Sequence, residues 1–104
     1  MAWVALILAG VFEIGWALGL KASQGFTRPI PSILTVLAMI ASFYLLAQAM
    51  KTIPLGTAYA IWVGIGAVGT VTLGILIYGD SATTLRMASI LLVIVGLAGL
   101  KLAG

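Results

Sequence analysis

The sequence predicts an all-α membrane protein of four transmembrane helices joined by short loops. Three observations carry that prediction. Hydrophobic residues make up 63% of the 104 positions and charged residues only 7%, with a mean hydropathy of +1.31. A water-soluble domain this small exposes too much of its surface to accommodate such a composition. The few charges and the three prolines divide the chain into four apolar pieces. Each piece is close to the roughly 20 residues that cross a hydrocarbon core of about 30 Å. The connections left over are too short to form a domain, so residues 1–104 read as one four-helix unit with its activity inside the bilayer.

Composition also excludes several classes. The chain has no cysteine and no histidine, which removes disulfides, zinc sites and histidine acid–base chemistry. It carries no nucleotide motif, metal-ligand cluster or nucleophile–base pair. An enzyme, a bound cofactor and an ATP-driven pump are therefore not expected. The net charge of +3 is scattered over loops and ends. That pattern suits contact with a membrane surface and lacks the basic patch of a nucleic-acid binder.

The first span runs from about Ala2 to Leu20. It has no charged n-region or small-residue cleavage site, so its apolar start is expected to be a helix and not a signal peptide. Lys21 to Arg28 form a loop, after which Pro29 and Pro31 open a second span over residues 30–50. Proline fits a first helical turn because that N–H has no intrahelical partner. Lys51 to Pro54 make a tight turn into the third span, residues 55–78. A last loop follows, with Asp80, Ser81 or Thr83 available to cap the fourth span over residues 85–101. Arg86 and Lys101 lie near its two ends, placed to reach opposite interfaces.

With four spans, the N-terminus, Lys51 and Lys101 share one side, and Lys21, Arg28 and Arg86 share the other. The positive-inside comparison is nearly a tie. Two readings fit: a weakly biased protein with one orientation, or insertion both ways and assembly as an antiparallel dimer.

Within the spans, Glu13 stands out. It lies near the middle of the first span, where an ionisable group costs from about 2.5 to more than 10 kcal/mol. No other span contains an acid, so Glu13 is expected to carry the function. Gly10 and Ala17 lie at helical spacing around it and leave room beside the carboxylate, and Trp16 adds an indole donor and an aromatic wall. Trp3, at the span's edge, fits an interfacial belt. Ser42 sits near mid-depth in the second span, and a serine there can also satisfy itself on its own i−4 carbonyl. In the third span Tyr59, Trp62, Gly66 and Gly69 share one helix face. Gly64 and Gly66 weaken that helix and make it a candidate bend. The small residues also fit a plain packing role, which is the reading adopted for Ser89, Gly96 and Gly99 of the fourth span.

An uncompensated charge is costly in this setting, so the carboxylate holds either a proton or a cation. Competition for one acceptor is the physical requirement for exchange. Aromatic faces favour a weakly hydrated cation. A planar guanidinium donates to both carboxylate oxygens at once and stacks on rings, so it suits the set best.

Taken together, the chain resembles the small multidrug resistance family of proton-coupled exporters over essentially its full length. The resemblance rests on Glu13; on Lys21, Arg28, Pro31 and Ser32 through the first loop; and on Ser42. It continues through Pro54, Gly56, Ala58, Tyr59, Ala60, Trp62, Gly64 and Gly66, and ends at Arg86. Trp16-Ala17, Gly19-Leu20-Lys21, Gly66-Ala67, Gly69 and Gly99-Leu100-Lys101 look like the guanidinium-exporter subtype. The resemblance implies a guanidinium/proton antiporter of a bacterial inner membrane, built as an antiparallel dual-topology homodimer. It implies that two Glu13 carboxylates share one site for guanidinium or protons. It implies hydrogen bonds from Trp16, Ser42 and Tyr59 to Glu13, a pocket lined by Trp62, and a bend at Gly64 to Gly66. Asp80 stands where relatives often have glutamate, which leaves the site untouched. The assembly also admits a heteromeric partner of fixed opposite orientation, and two functional alternatives remain at this point. One is an exporter of quaternary ammonium or aromatic cations; the other is a proton-conducting ring subunit.

Overall fold

The computed structural model describes residues 1–103. Four helices follow one another: α1 (Ala2–Ala22), α2 (Pro29–Ala49), α3 (Leu55–Tyr78) and α4 (Thr84–Ala103). All four are long and apolar enough to cross a membrane. Two ends run two residues past the expected spans, and the other bounds agree to within one residue. α1 continues through Lys21 and Ala22, and α4 continues to Ala103. Near both ends a lysine ammonium lies over a ring of another helix. Lys21 Nζ lies 4.2 Å from the centre of the Tyr78 ring, and Lys101 Nζ lies 5.5 Å from that of Trp3.

The helix ends follow from local chemistry. Arg28 is extended (φ −100°, ψ 120°) because the proline after it disfavours the helical region, and α2 starts at that proline. Gly79 closes α3 in the left-handed conformation (φ 69°). Of the three candidate caps for α4, Thr83 takes the role: its Oγ1 accepts the Arg86 backbone N–H at 3.2 Å. The α1–α2 loop is a tight left-handed turn, with Gln24, Gly25 and Phe26 at φ 49°, 74° and 67°. Buried Ser23 holds this turn, donating to the Leu20 carbonyl at 3.0 Å and accepting the Phe26 N–H at 3.1 Å.

Lipid offers no hydrophobic force between helices, so close packing at small residues has to hold them together. α1 is the central helix and packs against both α2 and α3. A side chain at Gly19 would run into Thr35 of α2, and one at Gly10 would lie 2.6 Å from Ile65 of α3. Gly69 likewise admits Ile14, and Gly64 admits Leu97 of α4. The buried residues Leu6, Ala9, Leu46, Ala49, Ile53, Ala58, Ile61 and Trp62 form one cluster at the α2–α3 turn end. α4 approaches the backbone of α3 alone, and none of its described residues is buried.

Candidate functional site

Glu13, at mid-helix in α1, points across to α3 at the level of Gly66. A Cβ at Gly66 would overlap the Glu13 carboxylate, so this glycine supplies the room in which the acid sits. Glu13, Trp16, Ala17, Val63, Gly66, Ala67 and Thr70 line a shallow open cleft between α1 and α3. Two polar atoms in it are buried without a hydrogen-bond partner: Glu13 Oε1 and Trp16 Nε1. One is an acceptor and the other a donor, both left unpaired in a setting where each costs about 1–3 kcal/mol. Unpaired groups of this kind call for a partner, such as water, an ion or a ligand.

A second feature sits one helical turn away. The Ser42 hydroxyl, fully buried, donates to the Ala9 carbonyl of α1 at 2.7 Å. It accepts from the Trp62 indole Nε1 of α3 at 2.9 Å. Three helices therefore meet at one oxygen. Around them runs a chain of rings: Trp16 to Phe43 at 6.3 Å, Phe43 to Trp62 at 5.6 Å, and Trp62 to Tyr59 at 5.7 Å, all tilted. These are favourable aromatic separations. Trp62 is 6% exposed, whereas Phe43 and Tyr59 are 47% and 54% exposed, so the array opens outward on one side.

Measured against the expectations, the structure brings Glu13, Trp16 and Gly66 to one cleft, with Ser42, Trp62 and Tyr59 beside it. It differs in the partners of Ser42, in those of Trp16 and Tyr59, and in what faces Gly10. Ser42 does not bond to Glu13 in this protomer: a hydroxyl has one proton, and Ala9 takes it. Nor does Ser42 turn to its own i−4 carbonyl. Neither Trp16 nor Tyr59 donates to Glu13 within the protomer, and Trp16 Nε1 remains free. The space at Gly10 is taken by Ile65, which approaches α1 there. α3 is helical without interruption through Gly64 and Gly66, and both glycines serve close contacts, with Leu97 and Glu13.

Sequence reasoning missed Phe43, which links the rings of Trp16 and Trp62, although its position next to Ser42 was a usable signal. It also missed the Ala9 carbonyl, which no side-chain pattern can reveal.

The family model described as Small Multidrug Resistance protein matches residues 1–93. The chain belongs to the small multidrug resistance family. Within that family it is 57% identical to the guanidinium exporter of Yersinia pseudotuberculosis over 103 residues, 99% of each chain. It is 53% identical to the guanidinium exporter of Escherichia coli K12, covering 99% of this chain and 98% of that one. It is 54% identical to the guanidinium exporter of Proteus vulgaris over 99% of both. With its four spans, this family member is a multi-pass protein of the bacterial inner membrane.

Proposed function

We propose that the protein is a transporter and not an enzyme: a proton-coupled antiporter that exports guanidinium through an antiparallel dual-topology homodimer. The observation that carries this reading is the Glu13 carboxylate, buried beside Gly66 with Oε1 unpaired. The names of the relatives as guanidinium exporters support the choice of cation.

Guanidinium carries only donors, in a planar fork that matches both oxygens of a carboxylate. In the cleft it pairs with Glu13 beside the Trp16 ring, with the Phe43, Trp62 and Tyr59 rings continuing the array. It cannot satisfy Trp16 Nε1, because that atom is also a donor. The acceptor for Trp16 is then a carboxylate oxygen, from Glu13 of the same chain or of a second copy. A second copy facing the open side would cover the exposed rings of Phe43 and Tyr59 and bring the two acids to one site. The nearly even distribution of basic residues between the two faces supports insertion both ways.

In the cycle, protons from outside neutralise the Glu13 pair and the dimer reopens inward. Guanidinium displaces the protons and the loaded dimer turns outward. Tyr59 and Trp62 move with each change of access, and the glycines of α3 give the helix its freedom to bend. The two ends of the cycle are one structure with its subunits exchanged, so neither is intrinsically favoured.

Export of bulkier quaternary ammonium or aromatic cations is the second reading, and the openness of the Phe43–Tyr59 side favours it. Trp16 weighs against it by adding bulk beside the acid. The test is electrical recording from proteoliposomes supplied with guanidinium, an alkyl-guanidine and a tetraphenyl cation. Glu13→Gln should abolish guanidinium currents and guanidinium-linked proton release. Coupled uptake retained by that variant refutes the proposal. A larger response to the tetraphenyl cation than to guanidinium selects the second reading. Labelling of single engineered cysteines from each side of the membrane, at equal extent, would establish dual topology.

A further inference from the structure

The Ala9 carbonyl has two claims on it. In the ladder of α1 it receives the backbone N–H of Glu13, four residues on. It also receives the Ser42 hydroxyl at 2.7 Å. The same hydroxyl is the acceptor for the Trp62 indole at 2.9 Å. A continuous run of hydrogen bonds therefore leads from the Trp62 indole, whose neighbour Val63 lines the cleft, to the peptide group of Glu13. Every member is shielded: Ala9 and Ser42 are fully buried and Trp62 is 6% exposed. Hydrogen bonds in a dry setting are strong and polarise one another, so a shift at one end is felt at the other.

The contacts around this run leave it little freedom. Ile65 presses on α1 at Gly10, next to Ala9, and the Glu13 side chain fills the space at Gly66, one turn beyond Trp62. α1 and α3 are thus held on either side of the Ser42 oxygen. No other side chain among the described residues forms a hydrogen bond that joins two of the helices.

We propose that Ser42 is a positioning residue that acts through the Ala9 carbonyl, tying the Trp62 indole to the helical turn of Glu13 so that ring and carboxylate move as one unit. This role differs from direct hydrogen bonding to Glu13, and it rests on the reading of the cleft as a guanidinium site only for its functional consequence. When a cation in the cleft shifts α3 at Trp62, the displacement passes through Ser42 to the backbone that aims the carboxylate. Loss of the hydroxyl leaves both ends in place and removes the tie.

The test uses the full-length protein in bicelles and reads the backbone amide resonance of Glu13 by NMR, first without any cation. Trp62→Phe keeps a ring and removes the indole N–H. It should move the Glu13 amide resonance when Ser42 is present and leave it in place in a Ser42→Ala background. A second arm measures guanidinium binding in the same four proteins. The two substitutions should be non-multiplicative in Kd by about threefold or more, as expected for residues in one network. Ser42→Thr, which retains a hydroxyl, should restore the amide response. An equal amide shift in both backgrounds, or none in either, overturns the proposal. Multiplicative losses of affinity with the hydroxyl present and absent overturn it as well. Failure of the unmodified protein to bind guanidinium would instead count against the transport reading and leave the amide arm to decide this one.

Discussion

Gly66→Ala separates the carboxylate's position from the stability of the fold. The added methyl would occupy space now held by Oε1, Cδ and Cγ of Glu13. Overpacking of this kind costs about 1–3 kcal/mol when the neighbours are fixed. Here the obstructing atoms are the outer end of a flexible side chain beside an open cleft, so Glu13 can swing aside. Alanine also returns about 0.8–1 kcal/mol of helix propensity relative to glycine. The two terms nearly cancel, and unfolding in mixed micelles should change by less than about 1 kcal/mol. Function has no such compensation. Hydrogen bonds to a charged group are worth about 1.5–3 kcal/mol, so losing one as the carboxylate shifts should lower guanidinium affinity, measured calorimetrically, by about 10- to 100-fold. Gly15→Ala, where the methyl meets nothing within 4 Å, serves as the control and should retain affinity. Unchanged affinity in a normally stable Gly66→Ala protein would refute the claim that Gly66 reserves the carboxylate's space.

Three further predictions concern other parts of the molecule. Trp16→Phe removes an indole donor that has no partner in the protomer and keeps the ring. If that donor is engaged by a carboxylate in the dimer, affinity should drop by about 1–3 kcal/mol, and an unaffected Kd would argue against the engagement. Acidification should weaken guanidinium binding to the unmodified protein, because proton and cation exclude each other at Glu13. Titration calorimetry across a pH series checks this, and a pH-independent Kd would contradict it. Phe26→Gly removes a bulky residue from a left-handed position, φ 67°, and should stabilise the α1–α2 turn by about 1 kcal/mol. The shift of the unfolding midpoint measures it.

The helices were legible because their causes are local. Prolines, charges and apolar runs set the four spans, and Thr83 was among the named caps for α4. The two overruns, Lys21–Ala22 and Leu102–Ala103, were not legible, and neither were the rings that Lys21 and Lys101 meet on other helices, Tyr78 and Trp3. At the site, Glu13 announced itself by the cost of a charge at that depth. Trp16 followed from spacing on the same helix. What Ser42 touches could not be read, because its acceptor is a backbone carbonyl on α1 and its donor an indole on α3. Glycines posed a related difficulty. Their number suggested packing or bending, yet Gly10, Gly64 and Gly66 differ only in what faces them: Ile65, Leu97 and the Glu13 carboxylate. That is a property of the neighbour, and no pattern within a single helix contains it.

The ring array has an optical consequence. The chain has three tryptophans. Trp16 and Trp62 flank Phe43 beside the carboxylate, and Trp3 lies at the other end of α1 under Lys101. Intrinsic emission is therefore a sum of two populations, one reporting on the cleft and one on the edge of the bilayer. Trp3→Phe would leave a protein whose whole tryptophan signal comes from the cation's surroundings, with the indole of Trp62 bonded and that of Trp16 free. Such a protein carries its own probe at the place where the chemistry occurs, and needs no dye to follow its cycle.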